Sequence, residues 1–319
     1  MKKYSLYILL TLLTTLAGCS KMTHDQDRND RSEPDASDVP VWALTVEAAK
    51  VVPGQAGDDS WGAAGEGTKA LDLVNEGARL NVYWKNTETV KVYKAGTLLG
   101  SLTVTPDTGE KPASATLSGE ITTEGLAVND ELTLLLPRES WDYSGQKGKL
   151  AKTADNETGT IEDSYDYALA TVTVKAINGN SVTTTGASFE NQQSIYRLDF
   201  KVNGSLRGVN WFSVSSNRNK LVTSRSYSGG WTSAYGELSV SLASAAKSPY
   251  LSLRNENTTT ADTYTFFVRD GNNNLFTGTM EIETQYLGNG KFLAPGVDLS
   301  AYSIATTASG NISNTQDIF

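Results

Sequence analysis

From Val41 to Leu299 the sequence is written in short alternating runs of apolar and polar residues, broken by Gly, Asn and Asp. Alternation of this kind puts one set of side chains on each face of an extended strand, so each run buries one face and wets the other. Leu80–Trp84 and Thr89–Tyr93 read as strands, Lys94-Ala-Gly96 as a turn, and Thr97–Thr105 as the returning strand. Asp130–Leu136 is a strand ended by Pro137, and Tyr167–Ile177 alternates up to Asn178-Gly179, a dipeptide favoured in type I′ hairpins, with Ser181–Thr185 as partner. Ser194–Val202 is the clearest case: Ile195, Arg197, Asp199 and Lys201 fall on a wet face, and Tyr196, Leu198, Phe200 and Val202 on a buried one. Further strands are expected at Gly208–Ser215, Gly236–Leu242, Tyr250–Leu253, Thr263–Asp270, Leu275–Ile282 and Lys291–Leu299. A helical stripe recurs every 3.6 residues, and only Ala243–Lys247, before Pro249, suggests even one helical turn.

Turn signals recur about every 8–12 residues, the spacing of β-sandwiches. The chain has 319 residues, enough for roughly two domains of this kind. The fold class read from the sequence is all-β, with two tandem β-sandwich domains of transthyretin-like, Greek-key type. The expected division is 41–187 and 188–300, with the boundary near Thr185–Glu190, and 301–319 forms a tail. Long irregular stretches at 53–70 and 138–164 interrupt the pattern; in compact domains such loops are functional or disordered.

The N-terminus follows other rules. Met-Lys-Lys, an apolar run from Tyr7 to Leu16 and Leu16-Ala-Gly-Cys19 describe a secretory leader, residues 1–18, that ends in a bacterial lipobox. The apolar run is shorter than the roughly 20 residues of a membrane-spanning helix. Cys19 is the only cysteine, and acylation there supplies a lasting membrane anchor through several acyl chains. Residues 19–40 are almost devoid of apolar side chains and read as a flexible tether, whose Asp25, Asp27 and Asp30 are candidates for a surface-export tag.

Composition narrows the chemistry. The formal charge is −9, and loss of Lys2 and Lys3 with the leader brings it to −9 − 2 = −11, a poor match for nucleic acid. One cysteine excludes an intrachain disulfide, and the only histidine, His24, lies in the tether, which excludes histidine chemistry in the folded part. Neither a Cys/His metal cluster, a Ser-His-Asp set nor a phosphate-cradling loop is present, so no cofactor and no enzymatic activity are expected. Asp155, Asn156, Glu162, Asp163 and Asp166 carry hard oxygens that suit calcium, without EF-hand spacing. Trp141, Tyr143, Tyr165, Tyr167, Trp231 and Tyr235 could stack on sugars; filling sandwich ends or interdomain contacts is the favoured reading.

Asp130-Glu-Leu-Thr-Leu-Leu-Leu-Pro-Arg-Glu-Ser-Trp-Asp-Tyr-Ser-Gly-Gln146, Tyr165-Asp-Tyr-Ala-Leu-Ala170, Phe189-Glu-Asn-Gln-Gln-Ser-Ile-Tyr-Arg-Leu-Asp-Phe200 and Asn289-Gly-Lys-Phe292 resemble the fimbrillin family, in its Bacteroides-type branch. The resemblance implies lipoprotein sorting to the outer membrane and assembly into adhesive fimbriae on the cell surface, with other copies or related subunits as partners. In such pilins a trypsin-like protease removes the first strand of the N-terminal domain, and a donor strand from the next subunit's C-terminus fills the groove. Carried over to this chain, the removable strand is Val41-Trp42-Ala-Leu44-Thr-Val46, and the cut falls at Lys69 in Thr68-Lys-Ala-Leu71. Lysine departs from an arginine-specific junction; Arg28 and Arg31 lie upstream of the strand. The donor candidates are Leu299, Tyr302 and Ile304, with Ile312 beyond. The alternative is a monomeric surface lipoprotein that binds host glycans or proteins through its loops.

Overall fold

The computed structural model describes residues 39–49, 70–74, 79–109, 112, 114–153, 157–256 and 259–302. Cys19, Lys69, Ile304, Asp155, Asn156, the leader and the tether up to Asp38 lie outside them. The described residues belong to one compact unit, and their elements are nearly all strands.

The first half holds β1 (Val41–Ala49), β2 (Ala70–Val74), β3 (Arg79–Tyr83), β4 (Thr89–Lys94), β5 (Thr97–Pro106), β6 (Ser114–Thr122), β7 (Glu131–Leu136), β8 (Ser140–Asp142), β9 (Ala168–Asn178), β10 (Ser181–Thr184), β11 (Ala187–Ser188) and β12 (Glu190–Asn191). The order β10-β1-β6-β5-β4-β7-β9 is closed by a second pairing of β10, with β9. The 41–187 stretch is therefore a closed ring of strands, where two facing sheets were expected; closure removes both edges. The expected turns locate its hairpins. Ala95 and Gly96, at φ 47° and 87°, join β4 to β5. The β9–β10 turn is displaced by one residue from the expected type I′ geometry: Asn178 pairs with Ser181, and only Gly179 has positive φ, the glycine-first pattern of a type II′ turn. The ring interior is filled by Val90, Val92, Leu102, Leu117, Leu132, Leu134, Val172 and their neighbours, with Trp84 set edge-on to Phe189 at 5.4 Å.

Because Phe189 belongs to this core and β12 still pairs with β9, the ring extends through Asn191, past the expected boundary at 187. The second half then runs β13 (Ser194–Arg197), β14 (Asp199–Val202), β15 (Ser205–Leu206), β16 (Val209–Ser216), β17 (Val222–Tyr227), β18 (Trp231–Tyr235), β19 (Leu238–Ala246), β20 (Tyr250–Leu253), β21 (Asp262–Asp270), β22 (Leu275–Ile282), β23 (Phe292–Leu293) and β24 (Gly296–Ala301). A seven-stranded sheet, β15-β14-β24-β22-β21-β16-β19, and a smaller one, β20-β13-β23, share a second core. Phe200 lies 5.2 Å from Phe212 and 5.7 Å from Phe266 there.

The single strand expected over Ser194–Val202 breaks at Leu198 and feeds both sheets. Ile195, expected on the wet face, is fully buried, because Leu150, Ile161, Tyr165 and Phe292 cover that side of β13. Leu150 and Ile161 come from the stretch 138–164, and Tyr165 directly follows it; the stretch also carries β8 and a one-turn helix, α1 (Ile161–Ser164), capped by Thr160. The helical turn expected at Ala243–Lys247 is instead the end of β19. Two strands absent from the sequence reading, β17 and β18, form a hairpin that recruits β8 out of the first half, pairing Trp141 with Arg225.

Candidate functional site

The residues singled out as a removable strand form a seam in the ring. β1 pairs antiparallel with β6 along its whole length, from Val41 opposite Thr122 to Ala49 opposite Ser114. On its other side it runs parallel to β10, with Leu44 opposite Val182, and to β11, with Ala48 opposite Ala187. Three further backbone bonds fasten its ends: Ala43 N–H donates to Asn180 at 2.8 Å, Phe189 N–H donates to Ala49 at 3.0 Å, and Thr123 N–H donates to Pro40 at 3.2 Å. β1 is thus an interior strand whose backbone groups face partners on two sides, as a sheet interior requires.

Alternation decides which side chains the seam holds. Leu44, Val46 and Ala48 point into the ring and are buried, while Val41, Ala43, Thr45 and Glu47 are exposed. Trp42 is half-buried and its Nε1–H donates to Thr123 O at 3.1 Å. The inward side chains shrink along the strand. Trp42 faces Ile121; Leu44 lies between Gly119 and Val182; Val46 faces Leu117; Ala48 lies between Ala115 and Ala187. The large Leu44 is accommodated beside a glycine, and Ala48 sits beside two other small residues. Burying the Leu and Val side chains contributes about 1.5–3 kcal/mol each.

The other candidate residues are distributed as follows. β2 begins at Ala70, directly after Lys69. Leu299 lies in β24, between β14 and β22, with 6% exposure, so it is already committed to the core of its own chain. Tyr302 is 44% exposed and meets Phe267 edge-on at 5.6 Å. The flanks of the seat, β6 and β11, were not singled out in the sequence; alternation of Ala115, Leu117 and Ile121 is a signal that Gly119 and several short side chains dilute.

The acidic residues considered for calcium are occupied otherwise. Glu162 pairs with Lys85 and accepts from Lys152 N–H at 3.0 Å; Asp163 pairs with Lys152 at 2.5 Å; buried Asp166 accepts from Gln193 at 2.9 Å. Among the described residues no group of three His, Cys, Asp or Glu could hold a metal ion.

The aromatic residues form the junction between ring and second core. Trp141 is fully buried, stacked on Tyr167 at 5.3 Å and against Trp231 at 4.1 Å; Tyr143 meets Tyr167 edge-on. Tyr165 is also buried; Tyr235 is the one among the six that is exposed by more than a third. Arg225 lies over the Trp231 ring at 4.2 Å. Burial and the neighbouring Arg254 bring Arg225 down to about 10, with Glu256 acting in the opposite sense. Desolvation pushes the Tyr143 phenol far above its usual range. Such rings fill a junction and offer little face to a sugar.

No protein-family model and no curated protein matches the chain. Solved structures do. A "putative cell adhesion protein" from Bacteroides uniformis is 17% identical, with a TM-score of 0.43 over 82% of this chain and 97% of that one. A fimbrial assembly protein from Parabacteroides distasonis is 8% identical, with a TM-score of 0.35 over 80% and 90%. A tip fimbrial protein from Porphyromonas gingivalis, truncated at its C-terminus, is 8% identical, with a TM-score of 0.31 over 78% and 86%. Adhesion and fimbriae are the terms these similar structures carry.

Proposed function

We propose that the chain is a structural and adhesive subunit of cell-surface fimbriae, held at the outer membrane through acylated Cys19 before assembly and joined to its neighbour by strand exchange. The observation that carries this reading is the place of β1. The first of the described strands closes the ring, and among the described residues it alone joins β6 to β10 and β11.

Excision of β1 by a cut at Lys69 leaves Ala70 as the new N-terminus. It exposes the inner edge of β6, the edges of β10 and β11, and the apolar seats of Leu44, Val46 and Ala48. Open edges beside an apolar groove bind extended segments, because backbone bonds supply affinity and alternate side chains fill the pockets. An incoming strand restores what excision removes. The work of such a subunit is mechanical, and the reading needs no catalytic group. The glycan-binding alternative loses support from the burial of the aromatic rings it depends on.

N-terminal sequencing of protein released from the cell surface tests the reading, together with gels run after mild heating. A chain starting at Ala70 and a ladder of multiples are expected. An acylated, untrimmed monomer as the sole surface form would refute it.

A further inference from the structure

Arg225 carries a charge that the fold leaves short of acceptors. Its side chain is 11% exposed, and its Nε–H is buried with no hydrogen-bond partner among the described residues. The nearest carboxylate oxygen, Glu256 Oε1, is 3.6 Å from that nitrogen, beyond hydrogen-bond reach. Other donors hold Glu256 where it is: it accepts from Ser233 Oγ at 2.8 Å, from the Tyr235 hydroxyl and from Arg254 Nε at 3.4 Å. A guanidinium is a planar fork of N–H donors, and one so enclosed ordinarily meets oxygen.

The guanidinium also leans toward the open edge of a sheet. Arg225 sits in β17 opposite Ser233 of β18, and its Cζ lies over the ring of Trp231, another β18 residue, at 4.2 Å. β18 is the outermost strand in the order β18-β17-β8, and among the described residues no strand pairs with its outer side. Exposed edges are commonly guarded by charged side chains or proline. Trp231-Thr-Ser-Ala-Tyr235 has neither. Around it the charge runs against that of the chain. Arg225, Arg254 and Lys220, whose Nζ lies over the Tyr235 ring, gather about the single carboxylate of Glu256. The local excess is 3 − 1 = +2, where the whole chain carries −9.

We propose that the outer edge of β18 takes an extended acidic segment of a partner protein as a fourth strand, with one carboxylate of that segment on the Arg225 guanidinium. Backbone bonds along the edge supply affinity with little regard to sequence. The fork of Arg225 adds the demand for a carboxylate, whose two oxygens match it. Stacking on Trp231 holds the guanidinium in place beforehand, so little freedom is lost on binding. Side chains of an added strand alternate, so one set of alternate positions lies on the Arg225 side and the acid belongs to that set. A neutral segment gains the edge but lacks the ion pair, and a basic one is repelled. The edge lies apart from the β1 seam, so the proposal goes beyond the strand-exchange reading and does not depend on it.

Short random peptides selected on the detergent-solubilised full chain test it. Asp or Glu is expected to dominate one position of the selected set. Binding of a selected peptide is expected to fall at least tenfold when that acid is replaced by its amide, and at least tenfold with Arg225→Gln. Hydrogen exchange at the amides of Trp231–Tyr235 is expected to slow when the peptide binds. A library that yields no binders, a selected set without an acidic preference, or equal binding by Arg225→Gln overturns the proposal. Unprotected Trp231–Tyr235 amides overturn it as well. If thermal melting shows that Arg225→Gln does not fold, phenylglyoxal labelling of the wild type decides: bound peptide shields Arg225 at least tenfold, and an unshielded Arg225 overturns the proposal.

Discussion

Gly96 and Gly229 meet backbone to backbone: a Cβ placed on Gly96 would lie 2.1 Å from the Gly229 Cα. Gly96 is in the β4–β5 turn of the ring, Gly229 in the β17–β18 turn of the second half, so neither turn can come closer. The contact is not symmetric. A Cβ on Gly229 finds its nearest atom at 3.5 Å. Both residues have positive φ, which costs an alanine about 1–2 kcal/mol. Gly229→Ala is therefore expected to cost about 1 kcal/mol, and Gly96→Ala at least about 2 kcal/mol, because it also forces the turns apart. Urea denaturation of both variants checks this; equal losses would show that the turns do not press on each other.

Trp141 comes from the short strand that leaves the first half to join the β17–β18 hairpin, and its ring is fully buried in the junction. Its Nε1–H donates to Arg138 O at 2.7 Å. Trp141→Ala removes the stacking on Tyr167 and Trp231 together and is expected to cost about 3–5 kcal/mol. Calorimetry gives a second readout. If the junction couples the two cores, the variant melts in two steps where the wild type melts in one.

The seam makes its own prediction without reference to polymers. Leu44 is buried and Val41 is 44% exposed, three residues apart on the same strand. Leu44→Ala is expected to cost about 2–5 kcal/mol, and Val41→Ala less than about 0.5 kcal/mol. Thermal melts of the untrimmed protein decide it. Insensitivity to Leu44→Ala would mean that β1 is not seated.

Asp270 supplies a pH dependence. Burial raises its pKa, but hydrogen bonds from Asn274, Arg207 and the Asn272 and Asn274 amides outweigh that effect and bring it to about 2. A carboxylate lowered on folding stabilises the folded form above its unfolded value near 4, and that stability is lost as pH falls through about 2. Asp270→Asn should lower stability at pH 7 by on the order of 2 kcal/mol and flatten the acid limb between about pH 4 and 2. Urea titrations across that range test it; an unchanged limb would place the acid sensitivity elsewhere.

Where the alternation was strong, the sequence reading met the structure residue for residue: Tyr250–Leu253 and Leu275–Ile282 have the bounds expected of them. It failed where side chains are short or both faces are covered. β17 and β18 are rich in Ser and Thr and flank Gly229-Gly230, so they resemble a loop until β8 pairs with β17. The Ala and Ser residues ending β19 mimic a helical turn. Ile195 shows the second limit, since period 2 marks two faces and cannot reveal that the stretch 138–164 folds over the outer one. β1 was legible as an apolar alternating strand. Its closure of the ring was not, because a parallel partner more than a hundred residues away leaves no turn signal beside it.

In the proposed exchange the seat of β1 lies in the first half of the chain, and the expected donor residues Tyr302 and Ile304 follow β24, which is fixed in the second half's sheet. A contact between unlike patches of identical molecules is heterologous, and unless its rotation returns to the start it propagates without limit. Under the proposed assembly every fibre has two chemically different ends, one with an empty groove and one with an unused tail. Nothing in the fold counts subunits. Fibre length is then set from outside, by the supply of trimmed chains or by a terminator that offers a groove without a tail.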